Sequence, residues 1–473
     1  MKKISFSLIV LFFLGLSTIQ SQNKSIKNGV KWVDTNGNKV HANGGNIINH
    51  NGIYYIIGED YSYSKTGYQG VNLYASKDLI NWEFKNKIID RNTNPDIKNG
   101  TRFTERSSLL FNPNTNQFVI WAHYEDKKYK TREAAIFYSN TIDGKYTFHK
   151  SLKPFGNDSL DCNVFRDGNE AYFISEDRNA GDLKLYKLSA DFLDVVEVTA
   201  SIVNNGTYKE APVIFKKNDT YFLLASELTG WNPNQGSYTY SNSLKKGWAN
   251  WKKFGGKITY DTQPTAVITI NGIKETSFYY VGDRWQDPSN SLAKNIICPL
   301  YVNTTNKTIS LKYVPEFTIN QKTGSWKIYD ESIYIPQDNW KLVAVSSEAK
   351  NFPATNAFDN DTNTIWHSNW LKKSDSFPYE IIIDLGKKYD VTGFVYIPRL
   401  DDEFYGIIRN FELYLSEDGN NWGNPVAAEA LSYWSKILFK KTTAKFIKFV
   451  AKSEIMNNAN SASIAEIKLI TSN

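Results

Sequence analysis

One layout recurs five times in the first two thirds of the chain: a polar residue, an apolar strand, a turn and a strand rich in aromatic residues. The five polar residues, in chain order, are Asn43, Glu105, Asp161, Glu210 and Gln263. In three copies the aromatic strand begins 11 residues after the polar residue, since 54 − 43, 172 − 161 and 221 − 210 all equal 11. All-strand repeats of about 40–50 residues are typical of propeller blades. We therefore predict an all-β fold that contains a five-bladed β-propeller.

The first strand of every propeller blade lines the central axis. The five polar residues at the starts of these strands should consequently converge on one funnel. Three of them are carboxylic acids, which are costly to bury together without a use. We predict that this funnel is the functional site, against the alternative that the polar groups only hydrogen-bond one another and fill a channel.

The amino terminus has the pattern of a secretory signal peptide. Met1-Lys2-Lys3 is followed by the apolar run Ile4 to Leu16, which is too short for a transmembrane helix, and a polar segment ends near Ser21. We predict cleavage after residues 1–21, no stable membrane insertion afterwards, and a secreted or periplasmic protein. A retained anchor is the alternative, which the missing basic flank disfavours.

Composition excludes some partners. The net charge of +6 is modest for 473 residues, and the lysines are scattered among acids, so no nucleic-acid partner is expected. Cys162 and Cys298 lie in apolar strands of repeats that do not adjoin, which favours two free thiols over a disulfide. We expect a monomer.

Several motifs in residues 28–335 resemble the family-43 glycoside hydrolases, and most closely their exo-β-1,3-galactanase branch. The motifs are His41-Ala42-Asn43-Gly44-Gly45, Tyr54-Tyr55-Ile56-Ile57-Gly58-Glu59, Glu105-Arg106, Glu210-Ala211-Pro212, Thr229-Gly230-Trp231-Asn232-Pro233-Asn234 and Gly282-Asp283-Arg284-Trp285. The resemblance implies a five-bladed propeller, inversion at the anomeric carbon and an exo-acting pocket for terminal galactose.

Inverting hydrolysis of a glycoside needs a carboxylic acid and, about 6.5–9.5 Å away, a base that activates water. Glu210 is the predicted acid, because its strand is apolar immediately afterwards and burial beside other acids should keep it protonated. The family assigns the position of Asp161 to tuning and orienting that acid. Its negative charge would raise the pKa of Glu210 by repulsion.

The base is where this chain departs from most family-43 enzymes, which have an aspartate on the first inner strand where this chain has Asn43. In the galactanase branch a glutamine matching Gln263 is thought to hold the water, with a glutamate matching Glu105 close by. An amide is a poor base. We therefore rank Gln263 first as the residue that positions water, and Glu105 as the fallback base.

Residues around the funnel are predicted to bind the sugar. Trp231 and Trp285 could stack on the apolar face of a galactose ring, with packing between blades as the alternative. Hydrogen-bonding candidates on the same rim are His41, Asn43, Glu59, His123, Tyr124 and Asn179.

The repeat stops near residue 335, and residues 339–473 resemble the discoidin-like family-32 carbohydrate-binding modules, a β-sandwich of jelly-roll type. The motifs are Ala357-Phe358-Asp359-Asn360-Asp361-Thr362-Asn363-Thr364-Ile365-Trp366-His367, Ile383-Asp384-Leu385-Gly386, Tyr396-Ile397-Pro398-Arg399, Leu415-Ser416-Glu417-Asp418-Gly419 and Ala465-Glu466-Ile467. By this resemblance, a sugar would contact His367, Arg399 and either Asn457 or Asn458.

The same resemblance implies a structural Ca²⁺ in the module. Its ligands would be the side chains of Asp359, Asp361, Thr364 and Glu466 and the carbonyl of Ala357, an oxygen-only set that suits this ion. Without the family, the acidic run would be interpreted as an Asx turn.

These features together predict an exported hydrolase that releases terminal galactose from β-1,3-galactan, the arabinogalactan backbone, and needs no cofactor for catalysis. The module would act by tethering the enzyme to polymer, so its deletion should hardly affect cleavage of a disaccharide. Two alternatives stay open: an α-L-arabinofuranosidase or β-xylosidase of the same family, and a non-catalytic galactan-binding lectin.

Overall fold

The computed structural model describes residues 23–62, 67–203, 206–230, 232–284, 295–371, 375–401, 403–431, 433–456 and 460–472. The predicted signal peptide, residues 1–21, lies outside this part of the chain. Within the described ranges the only α-helix is the four-residue Pro95–Lys98 (α1), and no helix there is long and apolar enough to cross a membrane. Two short 3₁₀ helices span Pro154–Gly156 and Ala354–Phe358.

All other regular elements are β-strands. The first 23, numbered in chain order, are β1 Ile26–Lys27, β2 Ile47–His50, β3 Ile53–Glu59, β4 Gly70–Ser76, β5 Glu83–Asp90, β6 Phe103–Asn112, β7 Gln117–Glu125, β8 Glu133–Ser139, β9 Thr147–Leu152, β10 Cys162–Asp167, β11 Glu170–Asp177, β12 Asp182–Leu188, β13 Val195–Val203, β14 Lys209–Lys217, β15 Thr220–Glu227, β16 Gly236–Ser241, β17 Lys252–Phe254, β18 Gln263–Asn271, β19 Thr276–Asp283, β20 Asn295–Asn303, β21 Thr308–Leu311, β22 Glu316–Ile319 and β23 Trp326–Ile328.

Strands β2 to β21 form five four-stranded antiparallel sheets, each built from four consecutive strands. The first strands of successive sheets contact one another, β2 with β6, β6 with β10, β10 with β14 and β14 with β18, and β18 also contacts β2. This is the order of contacts that the five-copy repeat predicts. The short sheet β1-β22-β23 joins the segment before the first sheet to the segment after the fifth, with Ile26 paired to Phe317.

Local sequence explains the hairpins within the sheets. In the first hairpin His50 pairs with Ile53 across Asn51-Gly52, and both turn residues have positive φ, 52° and 80°. A two-residue turn of this kind matches the twist of the flanking strands and favours the Asn-Gly pair. The alternating apolar residues then pack between neighbouring sheets, as Trp121 and Phe173 do with ring centroids 4.6 Å apart.

The remaining strands form a β-sandwich. They are β24 Ile333–Tyr334, β25 Lys341–Val345, β26 Trp366–His367, β27 Tyr379–Ile397, β28 Ile408–Ser416, β29 Ser435–Glu454, β30 Ser463–Ile464 and β31 Glu466–Thr471. Its large sheet has the order β24-β31-β27-β29-β28, with β25 on β27, and β26 pairs with β30. Because β24 already belongs to this sheet, the sheet includes residues just before the predicted start at 339. Trp366 and Tyr396 lie fully buried in its core.

The sandwich packs on the propeller beside its fifth sheet. Ile407, Tyr433 and Ile455 of the sandwich are buried in one apolar cluster with Tyr280 and Tyr313 of the propeller region. The hydroxyl of Tyr313 also donates a hydrogen bond to the carbonyl of Trp434 at 2.9 Å. The two parts of the chain are therefore joined by a buried apolar interface rather than by a linker alone.

Both cysteines are free and buried, as predicted. Cys162 begins β10 and Cys298 lies in β20, in sheets that are not neighbours in chain order.

Candidate active site

β-Bulges orient the side chains of the predicted catalytic residues Glu105 and Glu210. The residues that directly follow Glu105 and Glu210 are Arg106 and Ala211, which have φ of 53° and 54°, and the pairing register shifts immediately after both glutamates. A bulge of this type bends the strand and redirects the side chain next to it. Left-handed φ in a non-glycine residue is strained and is concentrated at functional sites.

These side chains meet at a cavity of about 320 Å³. The residues that line it include all four predicted catalytic residues, Glu105, Asp161, Glu210 and Gln263. The convergence of inner-strand polar groups that the repeat predicts is therefore present in the fold for these four. Asn43, the fifth, is buried, and its backbone pairs with Glu59 on the next strand.

The surroundings of Glu210 favour its protonated form. Its residue is only 8% exposed, and burial together with the charges of Asp161 and Glu176 raises the pKa of Glu210 to about 8. Asp161 is held in place by the Ala211 N–H, which donates to its Oδ2 at 3.1 Å. At neutral pH the Glu210 carboxyl is thus mainly protonated.

Gln263 contacts the acid directly. Its Nε2 donates to Glu210 Oε1 at 2.5 Å, and its Oε1 accepts a short hydrogen bond from Arg106. We predicted Gln263 as the residue that positions water, and here its amide lies within hydrogen-bond distance of the acid. Because the amide N–H donates to Oε1, the proton of Glu210 is left to Oε2.

Arg106 ties the elements of the site together. Its Nε lies 3.3 Å from Asp161 Oδ2, and its Nη1 donates to the carbonyl of Pro264 at 3.1 Å. A fully buried guanidinium beside several carboxyl groups offsets part of their mutual repulsion.

Glu105 is held by a second buried network. Tyr129 donates its hydroxyl to Glu105 Oε1 at 2.9 Å, and His123 Nδ1 lies 3.3 Å from Glu105 Oε2. The other His123 nitrogen is 3.0 Å from Glu125, and these two carboxylates raise the pKa of His123 to about 10 despite its burial. His123 is therefore a cation at neutral pH, and it lies between the Glu105 and Glu125 carboxyl groups.

The repeat analysis did not recognise a second set of polar residues as a set, although it predicted two of its members, Glu59 and His123, as rim candidates. Each inner polar residue lies opposite a polar residue near the end of the second strand of its sheet, and these partners are Glu59, His123, Glu176, Ser226 and Asp283. Glu176, which was not predicted, is 1% exposed and pairs with Arg178. A polar residue at the end of an otherwise apolar second strand was the available signal.

The predicted rim residues divide into three groups. His123 lines the described cavity, whereas His41, Asn43, Glu59, Tyr124 and Asn179 are not among the described residues that line it. Tyr124 points the other way because side chains alternate along β7, and its hydroxyl accepts a hydrogen bond from Asn94 at 2.9 Å in the apolar layer between sheets. Glu59 is fully buried and accepts from the Ser107 N–H. Trp231 and Trp285 lie outside the described residues.

The sandwich carries a separate aromatic and basic patch. His367 is in edge contact with Trp370, at 4.6 Å between ring centroids, and Trp370 is half exposed. Arg399 forms a two-point pair with Asp401, at 2.8 and 2.7 Å, and also donates to the carbonyl of Tyr405. Asn457, the third predicted contact, lies outside the described residues.

The predicted calcium ligands fit an ion only in part. Thr364 donates its hydroxyl to Asp359, and Asp361 accepts from Asn363, so these oxygens already have local partners, as an Asx turn would provide. Glu466 is fully buried beside Asp359, and its Oε2 has no hydrogen-bond partner among the described residues. No described group of three or more His, Cys, Asp or Glu side chains is close enough to hold a metal. The unpartnered oxygen of Glu466 is the observation that favours a cation there.

A protonated buried carboxyl, a second carboxyl and a cavity between the strands that carry them are features of a glycoside hydrolase. Comparison with known families agrees: residues 41–269 match the glycosyl hydrolases of family 43, and residues 341–467 match the F5/8 type C domain. The chain therefore contains a family 43 glycosyl hydrolase domain followed by a discoidin-like F5/8 type C domain.

Solved structures resemble most of the chain. An exo-β-1,3-galactanase from Clostridium thermocellum is 27% identical, over 88% of this chain and 99% of that one, with a TM-score of 0.61. An exo-β-1,3-galactanase from Phanerochaete chrysosporium, solved with β-1,3-galactotriose, is 21% identical over 94% and 100%, with a TM-score of 0.72, which is a likeness of fold.

Curated relatives match a smaller part of the chain. The galactose oxidase of Gibberella zeae is 33% identical over 141 residues, which are 28% of this chain and 20% of that protein. This chain thus spans about a fifth of the length of the first curated relatives that it matches.

Proposed function

We propose that this protein is an exported, exo-acting and inverting β-1,3-galactosidase that releases terminal galactose from β-1,3-galactan. The observation that carries the proposal is the buried Glu210 carboxyl, whose pKa is raised to about 8 beside Asp161 and Glu176 at the cavity. A carboxyl that is protonated at neutral pH can protonate the oxygen of a leaving sugar. The galactan specificity is supported by the galactanases that the chain resembles over most of its length.

Glu210 acts as the general acid in this proposal. Gln263 donates to Oε1 and so directs the acidic proton to Oε2, while Asp161 keeps the carboxyl protonated until the glycosidic oxygen receives the proton. Arg106 holds both Gln263 and Asp161, which fixes the acid relative to its neighbours. The five four-stranded sheets form one closed propeller around this group.

Glu105 is the better base of the two predicted candidates. Its side chain is a carboxyl group 3.3 Å from His123 Nδ1, whereas Gln263 is an amide engaged by Glu210 and Arg106. Glu105 would accept a proton from the attacking water as that water adds to the anomeric carbon, and the leaving galactan oxygen would take the proton of Glu210. The sugar product would then have inverted configuration.

The other parts of the proposal concern location and the second domain. The sequence of residues 1–21 supports export, and the patch of His367, Trp370 and Arg399 supports sugar binding by the sandwich. A Ca²⁺ bound by Glu466, Asp359 and neighbouring oxygens would stabilise the folded sandwich and supply no chemistry to hydrolysis.

A substrate panel tests the function. The purified protein is incubated with β-1,3-galactobiose, β-1,3-galactan, an aryl α-L-arabinofuranoside and an aryl β-xyloside, and monosaccharides are identified by chromatography, with Glu210→Gln as the matched control. We expect galactose from the first two substrates, appearing first as the α-anomer in proton NMR. Pentose release would instead support the arabinofuranosidase or xylosidase alternative. Sugar binding without any release would support the lectin.

A further inference from the structure

The sandwich places a buried cation against the turn that leads to Gln263. Arg409, the second residue of β28, has its Nη2 2.9 Å from Oδ2 of Asp261 in the propeller. Both side chains are almost completely buried, at 8% and 3% exposure. A buried pair of this kind is costly to break, because the charge that is left has no water to solvate it.

Asp261 belongs to a strained turn. Thr259, Tyr260 and Asp261 have positive φ at three successive positions, 46°, 56° and 61°. None of these residues is a glycine, so the conformation is unfavourable by itself and must be held by its surroundings. The turn, residues 258–262, ends directly before Gln263, and Asp261 also lines the cavity that contains Glu210.

Within the described part of the chain, the Asp261 carboxylate forms ion pairs with Arg284 of the propeller and Arg409 of the sandwich. Arg284 Nε is 3.8 Å from the same oxygen, which is farther than Arg409, and Arg284 donates instead to the carbonyl of Tyr260 at 3.1 Å. The sandwich contributes a second restraint, since the ring of Tyr433 contacts that of Tyr260 at 5.4 Å between centroids. The described residues of the sandwich thus add one ionic and one aromatic contact to a turn that Tyr313 of the propeller region also contacts, with its ring 5.4 Å from that of Tyr260.

We propose that Arg409 of the sandwich is a positioning residue for glycoside hydrolysis, acting through Asp261 to hold Gln263 in its hydrogen bond to Glu210. The sandwich then has a role in catalysis at the propeller besides any binding of polymer. This inference rests on the proposed function, because it assigns Gln263 and Glu210 to the reaction. It also replaces the expectation that the second domain acts by tethering alone.

The test uses the full-length protein and β-1,3-galactobiose, a soluble disaccharide for which tethering gives no advantage. Arg409→Met keeps much of the side-chain volume and removes the charge. Since small displacements of positioned groups are costly, we expect kcat to fall by about 10-fold to 100-fold with KM changed by less than about twofold. Arg409→Lys should restore most of the rate, because a point charge can also make the contact to Asp261 Oδ2.

A second interdomain ion pair provides the matched control. Lys257 and Glu403 also connect the two domains, but at the rim, where their side chains are 46% and 36% exposed. Exposed pairs contribute little. Glu403→Gln should therefore leave kcat unchanged, and a loss equal to that of Arg409→Met would overturn the proposal.

The pH profile separates positioning from simple destabilisation. The groups that face Glu210 are Asp161, Glu176, Arg106, Arg178 and Gln263. The Gln263 amide stabilises the ionised form of Glu210, so losing that hydrogen bond raises the pKa of Glu210. The alkaline limb of kcat should consequently move to higher pH in Arg409→Met and stay in place in Glu403→Gln. A destabilised but correctly aligned site would lose active protein without any movement of this limb, which would overturn the proposal.

The proposed function can fail separately. If the wild-type protein leaves galactobiose intact but cleaves another glycoside of the panel, the substrate assignment is wrong and the same comparison is made on that glycoside. A crystal structure of Arg409→Met supplies a readout that needs no activity. Gln263 Nε2 should lie beyond hydrogen-bond distance of Glu210 Oε1, and an amide still bonded there would overturn the inference.

Discussion

The substitution Asp161→Asn tests how the site keeps Glu210 protonated. After burial, the charge of Asp161 is the largest cause of the raised pKa of Glu210. An asparagine at this position keeps an oxygen for the Ala211 N–H but loses the negative charge. Arg106, no longer paired with Asp161, would also act more strongly on Glu210. Both changes favour the ionised form, so the pKa of Glu210 must fall.

The expected size follows from the structure. The rise from 4.5 to about 8 corresponds to about 5 kcal/mol in favour of the protonated carboxyl. A single neighbouring charge typically accounts for about 1 to 3 pKa units. If the pKa of Glu210 decreases by about 1.5, its protonated fraction at pH 7.5 falls from about three quarters to about one tenth. The rate should then fall about eightfold at pH 7.5 and change little near pH 5.

The assay is kcat for β-1,3-galactobiose measured between pH 4 and 9.5. The wild-type rate should decrease as pH rises through about 8, because the acid loses its proton there, and the corresponding limb of Asp161→Asn should lie at lower pH. If the alkaline limb of Asp161→Asn lies at the same pH as that of the wild type while kcat falls equally at every pH, Asp161 only orients the acid. A limb that moves upward would refute the electrostatic reasoning altogether.

Two further predictions concern the base and the sandwich. Glu105→Gln should lower kcat by about 10²–10⁴-fold with a smaller effect on KM. Tyr129→Phe removes only a hydrogen bond to Glu105 and should lower kcat by about tenfold or less. Equal losses of kcat in the two variants would argue against Glu105 as the base. A chelator should lower the melting temperature of the wild-type protein but not that of Glu466→Gln, since the unpartnered Glu466 oxygen is the observation that favours an ion. If the chelator leaves the melting temperature of the wild-type protein unchanged, the calcium assignment is contradicted.

The features of the fold and of the site that repeat along the chain could be predicted from the sequence. The inner-strand positions of Glu105, Asp161 and Glu210 were found because each precedes an apolar strand and an aromatic strand at a similar spacing. Strand periodicity likewise gives the five sheets, since alternation and turn residues are local properties. The alternation of side chains along a strand also explains why Tyr124 does not line the cavity. Its neighbour His123 faces the cavity, so Tyr124 must face the opposite side of the strand.

Contacts between distant parts of the chain could not be predicted in this way. The hydrogen bond from Arg106 to Gln263 joins residues 157 positions apart, and Arg409 reaches Asp261 from another domain. Neither pair has a local signature, because side chains of different sheets meet only once the fold is complete. The positive φ of Arg106 and Ala211 is similarly invisible in the sequence, since neither residue type favours it.

The most direct test of Glu210 as general acid compares two leaving groups in Glu210→Gln. Galactobiose has a poor leaving group that needs a proton, whereas 2,4-dinitrophenyl β-galactoside has a leaving group that departs without one. We predict that the variant loses about 10²–10⁴-fold or more in kcat on galactobiose and far less on the dinitrophenyl substrate, with its alkaline pH limb abolished. Near-normal turnover of galactobiose, or an equal loss on both substrates, would contradict the role of Glu210 as the acid.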